Sequence, residues 1–219
     1  MTLIPKKITQ LLPHRCSYLF LALLLLLVML PLLITSNADR IAAGLINLAI
    51  LLAAVAAIGR DRISFATAVL LAVPAAAFQV LGLLQDDLFF LLLSWTFSAC
   101  FYFLIVSLLL RYVLLPTVMN ADKLYGAGAI YLMLGIMWAY FYGIIQYFYP
   151  TAFAASGPPL NLYDLLYFSF TVLTTVGFGD IVPVHPVARG MTMLEQVVGV
   201  LYVAILIARL SSMYSTQER

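Results

Sequence analysis

The stretch Thr174-Thr175-Val176-Gly177-Phe178-Gly179-Asp180 decides how this chain is read. It is polar and glycine-punctuated, yet it lies between two long apolar segments, approximately Leu124–Tyr149 and Val187–Leu210. An apolar run, Tyr163–Leu173, leads directly into it and is too short to cross a bilayer, which takes roughly 20 residues. Alternating glycines permit backbone dihedrals with φ > 0. Non-helical backbone at membrane depth is tolerated only where it is buried in protein or lines a cavity. A short helix that enters the membrane and returns through a carbonyl-lined strand meets both conditions. Such a strand can replace the water around a dehydrated monovalent cation with main-chain oxygens.

The rest of the chain places that strand in a bilayer. Hydrophobic residues make up 65% of the 219 positions and charged residues 9%, with a mean hydropathy of +1.09. Soluble domains carry about 25% charged residues. Besides the two segments already named, four more read as spans: Tyr18–Thr35, Ile41–Ile58, Ile63–Leu84 and Leu88–Leu110. A transmembrane barrel would instead alternate polar and apolar residues in short segments. The fold class expected is therefore an all-α membrane protein: six transmembrane helices, with a re-entrant pore helix and filter between helices five and six. The first span resembles a signal peptide in its basic lead, Lys6, Lys7 and Arg15, but its apolar core exceeds the usual ~7–15 residues, so it reads as a retained helix.

Charge placement orients the spans. With the N-terminus inside, Lys6, Lys7, Arg15, Arg60, Arg62, Arg111, Lys123, Arg209 and Arg219 fall on the inner side, and only Arg40 and Arg189 on the outer side. That follows the positive-inside rule, placing both termini in the cytoplasm of a multi-pass cell-membrane protein. Two domains are expected: 1–116, a four-helix bundle, and 117–219, holding a linker, the outer helix, the pore helix, the filter, the inner helix and a short tail. Pro116 closes the fourth helix, with an inner linker to about Lys123. Asn161 or Asp164 stands where the pore helix needs an N-cap, and Pro186 is placed to start the sixth helix. The cysteines, Cys16 and Cys100, suggest neither a disulfide framework nor a metal site.

Thr-Val-Gly-Phe-Gly-Asp at 175–180, set between two spanning helices, resembles the signature of the potassium-channel pore family over about Tyr125–Leu210. The resemblance implies K+ ions held at Thr175, Val176, Gly177 and Phe178, with Gly179 completing the filter and Asp180 at its outer mouth. It implies a homotetramer, one chain with three identical subunits, since an ion needs carbonyls on every side. Closed cyclic symmetry fits such an assembly. Beyond K+ no cofactor is expected, and the lipid bilayer is the other partner. Nucleic acid is not expected as a partner, nor is a cytosolic ligand domain in this chain. Phe178 departs from the commoner Tyr, so a hydroxyl that would brace the filter is missing.

Around the filter, single residues carry two readings each. Gly199, mid-way along the sixth helix, is either a hinge or a point of close helix packing. Val200, Val203 and Ile207 share a helical face that would line an apolar cavity and its inner constriction. Glu195 lies roughly 110° from that face at about 100° per residue. It is read as a brace behind the filter, with Thr171 or a backbone group as partner, or as a gating group. His185 and Arg189 read as solvated surface, Arg189 with Asp180 as its alternative partner. The aromatics from Trp138 to Tyr149 read as packing against the pore helix and an interfacial belt.

The layout also resembles the voltage-gated subclass, but the fourth segment carries no charge from Leu88 to Leu110, and Arg111 comes only at its inner edge. A voltage-independent or weakly dependent channel is expected. An enzyme is disfavoured, because no nucleophile–base pair, metal cluster or phosphate loop appears. A potassium transporter would hold several one-glycine filter repeats in one chain. A poorly selective cation channel is the closest rival.

Overall fold

The computed structural model describes residues 15–33, 47–55, 62–85, 87–114, 121–157 and 160–214. Their helices are α1 (Arg15–Leu33), α2 (residues 47–55), α3 (Arg62–Gln85), α4 (Leu88–Leu114), α5 (Ala121–Phe148), α6 (Leu162–Leu173) and α7 (Pro186–Tyr214). Among the described residues, four helices are long and apolar enough to cross a membrane: Ile63–Gln85, Leu88–Leu114, Ala121–Phe148 and Pro186–Arg209. The apolar stretch of α1, Cys16–Met29, is shorter. The ends of the second expected span, Pro116 and the termini lie outside the described residues.

The helices pack in a chain of neighbours centred on α5. α3 lies against α4, and α4 and α1 both lie against α5; α5 in turn packs on α6 and α7. α5 is accordingly the most buried of the spans. α1 and α4 thus rest on α5 of their own chain, and α3 on α4. Leu21, Leu25, Val28, Leu70 and Val73 leave α1 and α3 apolar on their outer sides, as helices facing lipid must be.

α5 begins at Ala121, earlier than the sequence suggests, so Asp122 and Lys123 belong to the helix and not to the linker. A carboxylate in the first turn of a helix is favoured by the helix dipole. Asp122 also accepts from the backbone N–H of Cys16 at 2.9 Å and from the Tyr112 hydroxyl at 3.1 Å. The first N–H groups of a helix lack intrahelical partners. Asp122 supplies one to α1 and ties the ends of α1, α4 and α5 together.

A second polar tie lies within the apolar bundle. Asn47 donates to Gln79 at 2.9 Å and accepts from Tyr102 at 3.2 Å. The Tyr102 ring stacks on Tyr140 of α5 with centroids 5.8 Å apart. Satisfied side-chain hydrogen bonds between helices are the usual polar glue in lipid.

The described residues are all-α apart from one short clasp between two loops. Phe153–Ala155 (β1) and Ile181–Pro183 (β2) pair antiparallel, with Phe153 opposite Pro183, Ala154 opposite Val182 and Ala155 opposite Ile181. The carbonyl of Ala152 extends the clasp by accepting from Val184 and His185 at 2.9 and 3.2 Å. Loops at this level would otherwise leave backbone groups unpaired, and pairing the two satisfies both.

Candidate functional site

The site is built from the end of α6. Asn161 caps the helix start: its side chain accepts from Tyr163 and Asp164 at 2.8 and 3.1 Å, while Asp164 accepts from the Asn161 backbone at 2.8 Å. The two residues proposed for the cap therefore act together, as a reciprocal capping box. α6 then runs for 12 residues, with Leu165, Phe168, Ser169, Val172 and Leu173 buried.

A helix end leaves its last carbonyls without intrahelical partners, and here the following strand supplies them. Thr175 N–H donates to Val172 O at 2.9 Å, and Val176 and Gly177 both donate to Thr171 O at 2.9 and 3.0 Å. No peptide bond among the described residues is cis. In a trans peptide the carbonyl points opposite to the following N–H. With these three N–H groups turned toward α6, the carbonyls of Thr174, Thr175 and Val176 turn away from it.

The backbone dihedrals carry this pattern onward. φ is +62° at Thr175, +55° at Gly177 and +81° at Gly179, and no such value falls at Val176 or Phe178. Alternation of left-handed and ordinary residues keeps successive carbonyls on one side of a strand. Glycine takes these values freely; Thr175 takes one despite its β-branch, which marks a constrained position. Residues 174–180 are all exposed. The arrangement can present a row of carbonyl oxygens and hydroxyls to a shared opening.

Above this row, the Phe178 ring lies parallel to Tyr167, at 2° with centroids 6.3 Å apart. Asp180, chiefly through a side-chain hydrogen bond, holds the Tyr167 phenol above its ordinary range. Asp180 also accepts from the Ile181 N–H at 3.1 Å. Arg189 does not take Asp180 as partner; its Nε donates to the Pro183 carbonyl at 3.1 Å. His185 is not simply solvated: its ring stacks on Tyr149 with centroids 4.1 Å apart, and its Nδ1 accepts from Val187 N–H at 3.3 Å.

Behind the strand, α7 passes close to α6. A Cβ on Gly199 would lie 2.6 Å from the carbonyl oxygen of Leu173. That same oxygen accepts from the Tyr131 hydroxyl at 3.1 Å. Tyr131 stacks on Tyr202 at 5.9 Å, whose hydroxyl donates to Ala127 O at 2.6 Å. Val200, Val203 and Ile207 remain 53%, 40% and 60% exposed, so one chain leaves the face they form uncovered.

Glu195 is fully buried. Its partner on α6 is Ser169, not Thr171, whose hydroxyl bonds Phe168 O of its own helix at 2.8 Å. The two residues are two positions apart and so face about 200° apart on α6. Ser169 Oγ lies 2.5 Å from Glu195 Oε1 and 2.8 Å from Gly135 O of α5, and the Tyr142 hydroxyl bonds Glu195 Oε2. A Cβ on Gly135 would meet the Phe170 ring at 2.7 Å, so this glycine also lets α6 approach α5. Tyr142 contacts Phe168 and Phe153, at 5.2 and 5.4 Å between centroids.

Sequence reasoning missed Ser169, Tyr142, Tyr131 and Tyr167 as individual contributors. A serine and a tyrosine each placed to meet an intramembrane carboxylate were the available signal.

Compared with known proteins, residues 129–216 match the model of a family described as an ion channel. The match runs from within α5 through α6 and the 174–180 strand to the end of α7. No curated protein and no solved structure matches the chain. Its apolar helices and this match make it a multi-pass membrane protein with an ion-channel-like region.

Proposed function

We propose that the protein conducts potassium ions passively and selectively through a pore formed by four identical chains. The observation that carries this reading is the strand 175–179. The N–H groups of Thr175, Val176 and Gly177 fold back onto the α6 carbonyls, and left-handed φ recurs at Thr175, Gly177 and Gly179. An oxygen-lined strand of this kind offers what a dehydrated K+ needs, and it offers it from one side only. Three further chains would close the cage. Leu194, Val197, Leu201 and Ile205, apolar positions of α7 outside the cavity face, are also left uncovered by one chain and give such copies a surface to meet.

In this reading Thr175, Val176, Gly177, Phe178 and Gly179 form the filter, and Asp180 draws cations to its outer mouth. Val200, Val203 and Ile207 line the cavity below. Residues 117–219 make the pore domain and residues 1–116 a peripheral bundle, within a six-span chain whose termini are cytoplasmic. Conduction is voltage-independent or only weakly voltage-dependent in this reading, because α4 carries no charge before Arg111.

Structure determination of the assembled protein in potassium-containing buffer tests the reading. Four chains are expected about one axis, with ion density ringed by the carbonyls of residues 175–178. Carbonyls facing away from any common axis would overturn it.

A further inference from the structure

The polar cluster behind the pore strand can be counted hydrogen by hydrogen. It contains three close oxygen–oxygen contacts: Tyr142 Oη to Glu195 Oε2, Glu195 Oε1 to Ser169 Oγ at 2.5 Å, and Ser169 Oγ to Gly135 O at 2.8 Å. Each contact needs one hydrogen between its oxygens. Tyr142 brings one and Ser169 brings one; a backbone carbonyl brings none, and an ionised carboxylate accepts only. Two hydrogens cannot serve three contacts.

We infer that Glu195 is a neutral carboxylic acid in the folded protein, and that it positions α6 by donating its own hydrogen to Ser169. The hydrogens then run in one direction. Tyr142 Oη–H donates to Glu195 Oε2, Glu195 Oε1–H donates to Ser169 Oγ, and Ser169 Oγ–H donates to the Gly135 carbonyl.

The surroundings agree with an uncharged group. Glu195 and Ser169 are both fully buried, among apolar helices. Among the described residues, the titratable groups facing Glu195 are Tyr142 and, farther along α5, Tyr131. Thr192, on its own helix, donates to Ala188 O. A charge buried without a counter-charge is costly.

The consequence for function follows from where Ser169 sits. It lies on α6 two residues before Thr171, whose carbonyl accepts from Val176 and Gly177. The chain of hydrogens joins α5, α6 and α7 at one point, and so fixes the helix end on which the strand 175–179 hangs. Glu195 is a positioning residue: it touches no ion.

The role in conduction rests on the channel reading, whereas the protonation state does not, so the test has two arms. Infrared difference spectra of full-length protein in liposomes, parent minus Glu195→Gln, are expected to contain the carbonyl stretch of a protonated carboxylic acid. In Ser169→Ala that band should persist and move to higher frequency, because the acid loses its acceptor. Only carboxylate bands in the difference spectrum, or a band unmoved in Ser169→Ala, would overturn the inference, whether or not the protein conducts.

In the second arm, K+ over Na+ permeability is compared among variants. Glu195→Ala should lower the ratio roughly tenfold, as expected when buried hydroxyls lose their partner. Glu195→Gln should rescue it, since the amide donates to Ser169 and accepts from Tyr142 as the neutral acid does. A Gln variant as impaired as the Ala variant would contradict the neutral acid. An unchanged ratio in Glu195→Ala would contradict the positioning role. A parent protein without K+ preference would instead count against the channel reading, leaving the infrared result standing.

Discussion

Gly199 of α7 runs so close to Leu173 at the end of α6 that a β-carbon there would sit 2.6 Å from the Leu173 carbonyl oxygen. The obstacle is backbone, not the flexible end of a side chain, and Tyr131 holds the same oxygen from the opposite helix. The contact therefore cannot yield without moving the segment that precedes the 174–180 strand.

Gly199→Ala should destabilise the protein by about 1–3 kcal/mol, the usual cost of overpacking. Gly190 of the same helix has nothing within 4 Å, so Gly190→Ala should be neutral or stabilising by up to ~1 kcal/mol. Thermal unfolding of the two variants in detergent checks the contrast; equal melting temperatures would remove the close approach from the account.

Tyr131→Phe removes the hydroxyl that donates to Leu173 O but keeps the ring stacked on Tyr202. The loss should be about 0.5–1.5 kcal/mol, the net value of one hydrogen bond. In electrical recordings the variant should show shorter openings at unchanged single-channel conductance, because the carbonyl row itself is untouched.

At Gly177 and Gly179 the left-handed φ values of +55° and +81° would strain any side chain on conformational grounds, although nothing lies within 4 Å of either in one chain. Gly177→Ala should cost about 1–2 kcal/mol in local strain. It should also abolish preference for K+ over Na+ while the protein still assembles, as gel filtration and ion flux can separate.

α4 carries its one basic residue, Arg111, in its last turn. A charge moved across the field is worth about 2.3 kcal/mol per 100 mV, and this helix has none to move. Conductance in symmetric K+ should be nearly flat with voltage; a steep curve that persists after blocking ions are removed would contradict this.

The sequence made some parts of this architecture readable and hid others for physical reasons. The 174–180 strand was legible because glycine spacing reports directly on backbone dihedrals. The capping box was legible because Asn161 and Asp164 stand three residues apart at a helix start. Burial of Glu195 away from the Val200 face followed from helical angles alone. Its partner did not follow. Ser169 and Thr171 are both small hydroxyl residues on one short helix, and only the docking angle of α6 decides which meets α7. The β1–β2 clasp was hidden too, because Phe153–Ala155 and Ile181–Pro183 are three-residue strands without alternation, separated by α6 and the 174–180 strand. Tyr167 was read as an apolar member of its run, and its link to Asp180 appears only once the chain has doubled back.

In the proposed pore, main-chain oxygens of residues 175–179 take the place of water around potassium. The reversal potential of purified protein in liposomes, with K+ on one side and Na+ on the other, tests it most directly. The expected reversal potential lies far toward the K+ equilibrium value and collapses toward zero in Gly177→Ala. A reversal potential near zero for the parent chain would contradict it.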